Sequence, residues 1–259
     1  MNVLLDPTKR PVVGHRGNRA HAPENTLESL RQAVACGAEA IEFDLHLSRD
    51  GVPVVLHDPT LDRTTDAQGP VRERTVSDLA RVDAGARFTI DAGRTFPYRG
   101  RGIGVPTLEE VLAAHGGHPM VIEMKSVEVA APALAILERA GIGDRVLVGS
   151  FLDDALVPFA RAGIPVCGAP HALARLYLPA LLGASPKDLP FASMCIPRFH
   201  RGLPVPVRQY ARVMRALGRT VHVWTVNEPR VAQRLWARGV NGIISDDPAA
   251  ILAARGGAA

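Results

Sequence analysis

Residues 40 to 58 read A-I-E-F-D-L-H-L-S-R-D-G-V-P-V-V-L-H-D, a stretch that gathers groups able to do acid–base or metal chemistry. Its first part is strand-like, with apolar residues alternating with Glu42, Asp44 and His46. Residues i, i+2 and i+4 of a strand share one face, so Glu42 and Asp44 stand on one wall roughly 7 Å apart. Asp50-Gly51 signals a two-residue hairpin turn. Counting back from such a turn places Asp44 opposite His57, with β-carbons about 5 Å apart. Two carboxylates on an apolar strand are costly to bury without a positive partner, and a divalent metal is the simplest one. The alternative is an exposed sheet face on which all three groups are solvated.

Other strand-like segments end in polar residues of the same kinds. Pro11 to Gly14 runs into His15-Arg16-Gly17, and Met120 to Lys125 carries Glu123 and Lys125 at i and i+2. Thr220 to Val226 sets His222, Trp224 and Val226 on one face. Glu42, Asp44 and Glu123 can converge as three oxygen ligands for a hard cation such as Mg2+ or Ca2+. His15 and His57 suit general acid–base work near neutral pH. Arg16 and Lys125 supply positive charge for an anion, phosphate first. Each feature has an ordinary explanation: a Glu123–Lys125 ion pair, a core Trp224, structural His21, His46 and His222, and Asp246 or Asp247 as a helix cap. Their convergence at strand ends argues for a site.

The elements that would position these groups alternate regularly. Strands begin near residues 12, 40, 120, 145, 165, 193, 220 and 241, each followed by a helix or a long connection, with Val52 to His57 as an extra hairpin arm. Asn25 stands where a cap would open a helix to Cys36, Thr107-Leu108-Glu109-Glu110 is a capping box, and Asn227 is placed to cap a helix from Pro229. Pro179 is expected to bend or end an apolar helix over 172–182. Eight β/α units in 259 residues fit an α/β fold, the (β/α)8 TIM barrel, whose active site lies at the carboxyl ends of its strands. An open doubly wound sheet is the rival, but no strand is followed by G-x-G-x-x-G or a P-loop. The whole chain, 1–259, is expected to form a single catalytic barrel domain. Residues 59–105, rich in Arg, Asp, Gly and Thr, are expected to form a small inserted subdomain over one end of the core.

Composition narrows the class further. Hydrophobic residues make up 47%, ample for a core, and the net charge of +4 rests almost wholly on arginine. No block of like charge marks a nucleic-acid tail. Cys36, Cys167 and Cys195 lack the spacing of a disulfide or zinc framework, and free thiols fit a reducing compartment. No signal peptide and no run of 18 apolar residues are present, so a cytoplasmic protein without a transmembrane segment is expected.

Taken together, the motifs resemble the glycerophosphodiester phosphodiesterase family. The matching pieces are V-V-G-H-R-G at 12–17, P-E-N-T at 23–26, I-E-F-D-L at 41–45 and D-G-V-P-V-V-L-H-D at 50–58. L-D-R-T-T-D at 61–66, V-P-T-L-E-E-V-L at 105–112, I-E-M-K at 122–125, V-W-T-V-N at 223–227 and G-I-I-S-D-D-P at 242–248 follow in the family's order. The resemblance implies a (β/α)8 barrel and divalent-metal-dependent hydrolysis of a glycerophosphodiester to glycerol 3-phosphate and an alcohol. It implies Glu42, Asp44 and Glu123 as metal ligands, His15 and His57 as the acid–base pair, Arg16 and Lys125 as phosphate contacts, and Trp224 as a pocket wall. Ser48 and Ser245 depart from the commoner Thr without touching those roles. Two rival readings remain: a lysophospholipase D that touches membranes peripherally through the apolar helix and the basic insertion, and a non-catalytic phosphodiester-binding module. The sequence sets no oligomeric state.

Overall fold

The computed structural model describes residues 2–184, 186 and 188–256. Seven parallel strands run β1 (Val12–His15), β2 (Ala40–Leu47), β4 (Met120–Met124), β5 (Val146–Gly149), β6 (Ser193–Pro197), β9 (Thr220–Trp224) and β10 (Gly242–Ser245). β10 pairs back onto β1. Between β5 and β6 the ring is completed by Val166, bridged to Val148, and Cys167, bridged to Ser193. This eighth position is only two residues long, for Pro165, Gly168 and Pro170 crowd it on both sides. The protein is a (β/α)8 barrel, with the eight strand positions where the alternation of the sequence places them.

Among the described residues, eight helices flank the ring: α1 (Leu27–Ala35), α3 (Leu108–His115), α4 (Ala130–Ala140), α5 (Asp153–Arg161), α6 (Pro170–Leu181), α7 (Val207–Ala216), α8 (Pro229–Ala237) and α9 (Pro248–Gly256). Pro179 lies inside α6, which continues past it to Leu181. The Thr107–Glu110 capping box is present in both directions. The other two expected caps are different. Thr26, not Asn25, caps α1 by accepting from the Ser29 N–H. Glu228 precedes α8 without a side-chain cap, and Asn227 turns elsewhere.

The β2–β3 hairpin, with β3 at Pro53–Val55, also differs from expectation. Its register pairs Leu45 with Val55 and His46 with Val54. The Ser48 N–H donates to Val52 O, so the turn is Arg49-Asp50-Gly51, with Gly51 at φ 79°. The third turn residue shifts the count by one, and Asp44 faces Leu56 rather than His57. Residues after β3 include the short helix α2 (Val76–Leu79) and gather a small apolar cluster of their own around Leu61, Val71 and Leu79. A hairpin of β7 (Phe199–His200) and β8 (Leu203–Pro204), not foreseen in the sequence, sits between β6 and α7. Among the described residues, no helix is long and apolar enough to cross a membrane.

The amino end of the barrel is plugged by the chain's first residues. Leu4 is fully buried among Val13, Ala40, Val121, Leu147 and Ile244. Its carbonyl accepts from Thr220 Oγ1 and His222 Nε2, both at 2.8 Å. His222 is fully buried, its Nδ1 lacks a partner among the described residues, and burial pushes it down to about 4 from 6.5. Between those values the unfolded chain binds a proton that the fold refuses, so stability falls as pH falls through this window. The expected loss is about 3 kcal/mol from pH 6.5 to pH 4. Denaturant titrations of wild type and His222→Gln across that range check it. A wild-type slope no steeper than the variant's removes His222 as the cause.

Candidate active site

The loop after β1 is shaped by close packing. Arg16 sits at φ 52° and Gly17 at φ 86°, and a β-carbon on Gly17 would lie 2.4 Å from the Ser29 backbone. Only glycine lets the loop press onto α1 here. The pressed loop turns the Arg16 N–H onto Glu42 Oε2 at 2.8 Å. The Arg16 guanidinium binds Glu24 Oε1 at 2.8 Å and reaches within 3.3 Å of Asp44 Oδ2.

The parallel register of β2 with β4 sets Asp44 directly beside Glu123. Oxygens of Glu42, Asp44 and Glu123 lie within 4.8 Å of one another. Lys125 Nζ bridges Asp44 Oδ1 at 2.9 Å and Glu123 Oε1 at 2.5 Å. Burial pushes Glu42 well above the usual carboxylate range, and the neighbouring Asp44 and Glu123 charges push it further. Burial likewise raises Glu123, against Lys125. Asp44 is held low: burial works against its charge, but Lys125 and Arg16 outweigh it. Burial opposes the charge on Lys125 too, and Asp44 and Glu123 overcome it, so the ammonium stays protonated. Were all three carboxylates ionised, they would carry one negative charge more than Arg16 and Lys125 supply, and part of the rise in Glu42 comes from that repulsion. Hard oxygen donors, close spacing and a negative surplus fit a divalent cation such as Mg2+ or Ca2+.

Two histidine–aspartate pairs flank this cluster. His15 Nδ1 donates to Asp246 Oδ1 at 2.6 Å, and His57 Nδ1 donates to Asp58 Oδ1 at 2.6 Å. Each carboxylate fixes its ring and leaves Nε2 as the other nitrogen. Burial pushes His57 below its ordinary value despite Asp44 and Asp58, so the ring is neutral at pH 7. Asp246 is drawn down to about 2, since the bond to His15 outweighs burial. Asp58 is likewise held at about 2, chiefly by Arg63. His46, buried on β2, donates through Nε2 to the His57 carbonyl at 3.1 Å and steadies the backbone there.

Seven of the eight residues singled out in the sequence line one cavity of about 590 Å³: His15, Arg16, Glu42, His57, Glu123, Lys125 and Trp224. Asp44 lies behind the wall at 1% exposure, covered by Arg16, Lys125 and Asn25. Trp224 is half-buried, edge-on to Phe151 with centroids 6.0 Å apart. Several supporting residues were not foreseen as such. Asn25, at φ 58°, donates to Asp44 Oδ2 at 2.9 Å and accepts from the Asp44 N–H. Asp246 takes His15 and Asn227 as partners, leaving the capping of α9 to Asp247. Glu24 joins Arg16, Arg19 and Arg63, and Arg63 also holds Asp58. The signals were present, since Asn25 and Glu24 fall in P-E-N-T, Asp58 follows His57, and Arg63 belongs to L-D-R-T-T-D.

Residues 15–146 and 183–250 match the Glycerophosphoryl diester phosphodiesterase family. A glycerophosphodiester phosphodiesterase of Caldanaerobacter subterraneus subsp. tengcongensis is 30% identical over 252 residues, covering 94% of this chain and 97% of the relative. One from Bacillus subtilis is 29% identical over 260 residues, covering 95% and 86%. The structure of an Oleispira antarctica phosphodiesterase in complex with the product sn-glycerol-3-phosphate superposes with a TM-score of 0.75 at 28% identity, covering 95% of this chain and 96% of that one.

Proposed function

The chain belongs to the glycerophosphoryl diester phosphodiesterase family, and from that membership we propose that it hydrolyses glycerophosphodiesters to glycerol 3-phosphate and an alcohol with the help of a divalent cation. That it is a phosphoric diester hydrolase follows from its relatives. The observation that carries the finer reading is the buried carboxylate trio set between two histidines whose Nδ1 atoms are already committed.

In this reading Glu42, Asp44 and Glu123 hold the cation, which when bound neutralises phosphate charge and stabilises the charge that builds up in the transition state. Arg16 and Lys125 draw the phosphate toward the trio. Neutral His57 takes a proton through Nε2 from the attacking hydroxyl, whether of water or of the substrate's own glycerol. His15 delivers a proton through Nε2 to the leaving alkoxide as the phosphorus–oxygen bond breaks. Asp58 and Asp246 keep the rings in the tautomer and orientation these transfers need. Trp224 walls the substrate. The three free thiols accord with work in a reducing cytoplasm.

The test is release of glycerol 3-phosphate from glycerophosphocholine and glycerophosphoethanolamine with Mg2+, with Ca2+ and with chelator. Metal-dependent release is expected. Full release in chelator would overturn the role given to the three carboxylates.

A further inference from the structure

The cavity is divided by chemistry. Most of its polar lining comes from β1, β2, β4 and the His57 segment, and the opposite half of the ring is mainly apolar, with Ser150, His171 and His200 as its polar members. There Phe151 follows β5, Leu173 and Tyr177 stand on α6, Ile196 lies on β6, and Leu203 and Val205 come from the β7–β8 hairpin and its exit. Tyr210 of α7 donates to the Leu173 carbonyl at 2.8 Å, so α6 is anchored where it roofs the cavity. Apolar exposure continues outward on the same two elements, with Leu178 65% and Leu203 71% exposed. The family match breaks between 146 and 183, so Phe151 and all of α6 stand outside it.

A volume of about 590 Å³ falls within the range of about 300–1,000 Å³ seen for drug-sized ligands, beyond what a glycerophosphate requires. Among the described residues, no acidic side chain lines the apolar half to take a cationic headgroup. We infer that this half is a subsite for one alkyl chain carried by the diester, so that the preferred substrates are single-chain, lysolipid-type glycerophosphodiesters. The inference rests on the phosphodiesterase reading above and deepens it. A chain in this arm leaves water for a dry wall of Leu173, Ile196 and Val205. Each methylene so buried strengthens binding by up to about fourfold, until the arm is full.

The test uses monomeric substrates below their micelle-forming concentrations. Glycerophosphocholine is compared with two series of lengthening alkyl chains, one with the chain on the glycerol and one with it on the alcohol side. A rise of kcat/KM with chain length in one series is expected, and that series identifies the end of the substrate that faces α6. Ala174→Trp on α6 and Leu203→Asp on β8 change exposed positions that line the arm. Each is expected to lower the ratio of kcat/KM for an eight-carbon substrate over glycerophosphocholine by at least about tenfold. A flat profile in both series, with glycerophosphocholine still hydrolysed, would overturn the subsite and leave the activity standing. A ratio unchanged in both variants would place the chain elsewhere and overturn it too. No hydrolysis of any diester would instead overturn the reading on which it rests.

Discussion

His57→Ala is expected to lower kcat/KM for glycerophosphocholine by about 10²- to 10⁴-fold, the range for loss of a positioned acid–base group. His57 Nδ1 is committed to Asp58, Asp58 is gripped by Arg63, and the His57 carbonyl is tied to His46. The ring is thus held in place by fixed partners. His15→Ala should fall in the same range on this substrate. The two variants should separate when the leaving alcohol needs no proton. With a p-nitrophenyl ester of glycerol phosphate, whose phenolate leaves unaided, His15→Ala should recover most of its rate and His57→Ala should stay slow. Recovery of His57→Ala instead would exchange the two roles. Near-normal glycerophosphocholine turnover in either variant would remove that histidine from the mechanism.

Glu42→Gln is expected to abolish activity and to reverse the sign of one local contribution to stability. In the metal-free protein Glu42 is pushed toward its neutral form by burial and by Asp44 and Glu123. An amide of the same shape keeps a bond from the Arg16 N–H and lifts the repulsion. The metal-free variant should therefore melt at or above the wild type. Wild type with metal at a hundred times its dissociation constant gains about 2.7 kcal/mol. For a domain of this size that is a rise in Tm of roughly 5–11 °C. The variant, lacking one of three charged ligands, should rise by less than about 2 °C. Thermal melts with and without Mg2+ or Ca2+ read both effects. An equal metal-induced rise in the variant would take Glu42 out of the ligand set.

The barrel was legible because its signals are local and repeated: alternating apolar strands, capping residues and a helix after each strand. The carboxylate trio was legible for the same reason, since period-two spacing on β2 and β4 puts Glu42, Asp44 and Glu123 on inward faces. The hairpin register was not, because one extra turn residue cannot be told from a two-residue turn when both contain Asp50-Gly51. His57 reaches the cavity all the same, from just beyond β3 rather than from within it. Asn25 and Asn227 were read as caps, and Asp246 was left between a cap and a site, because an Asn or Asp before a helix serves either equally well. Only distant partners decide: Asp44 for Asn25, His15 for Asp246. Those contacts span 19 and 231 residues. The Glu24–Arg63 pair and the apolar arm under α6 likewise come from segments far apart in sequence, joined only by closure of the ring.

The plug at the amino end has a consequence for how the protein is made. Leu4 bonds to Thr220 and His222 across separations of 216 and 218 residues, and β1 finds its second neighbour only in β10. More than 200 residues of synthesis separate the first of these partners from the second. Loop closure over such distances comes late and slowly. The nascent chain therefore carries an open, half-built ring with the edge of β1 unsatisfied until β10 has been made. Burial of Leu4 is a mark of the closed ring, reached only when β9 and β10 have left the exit tunnel.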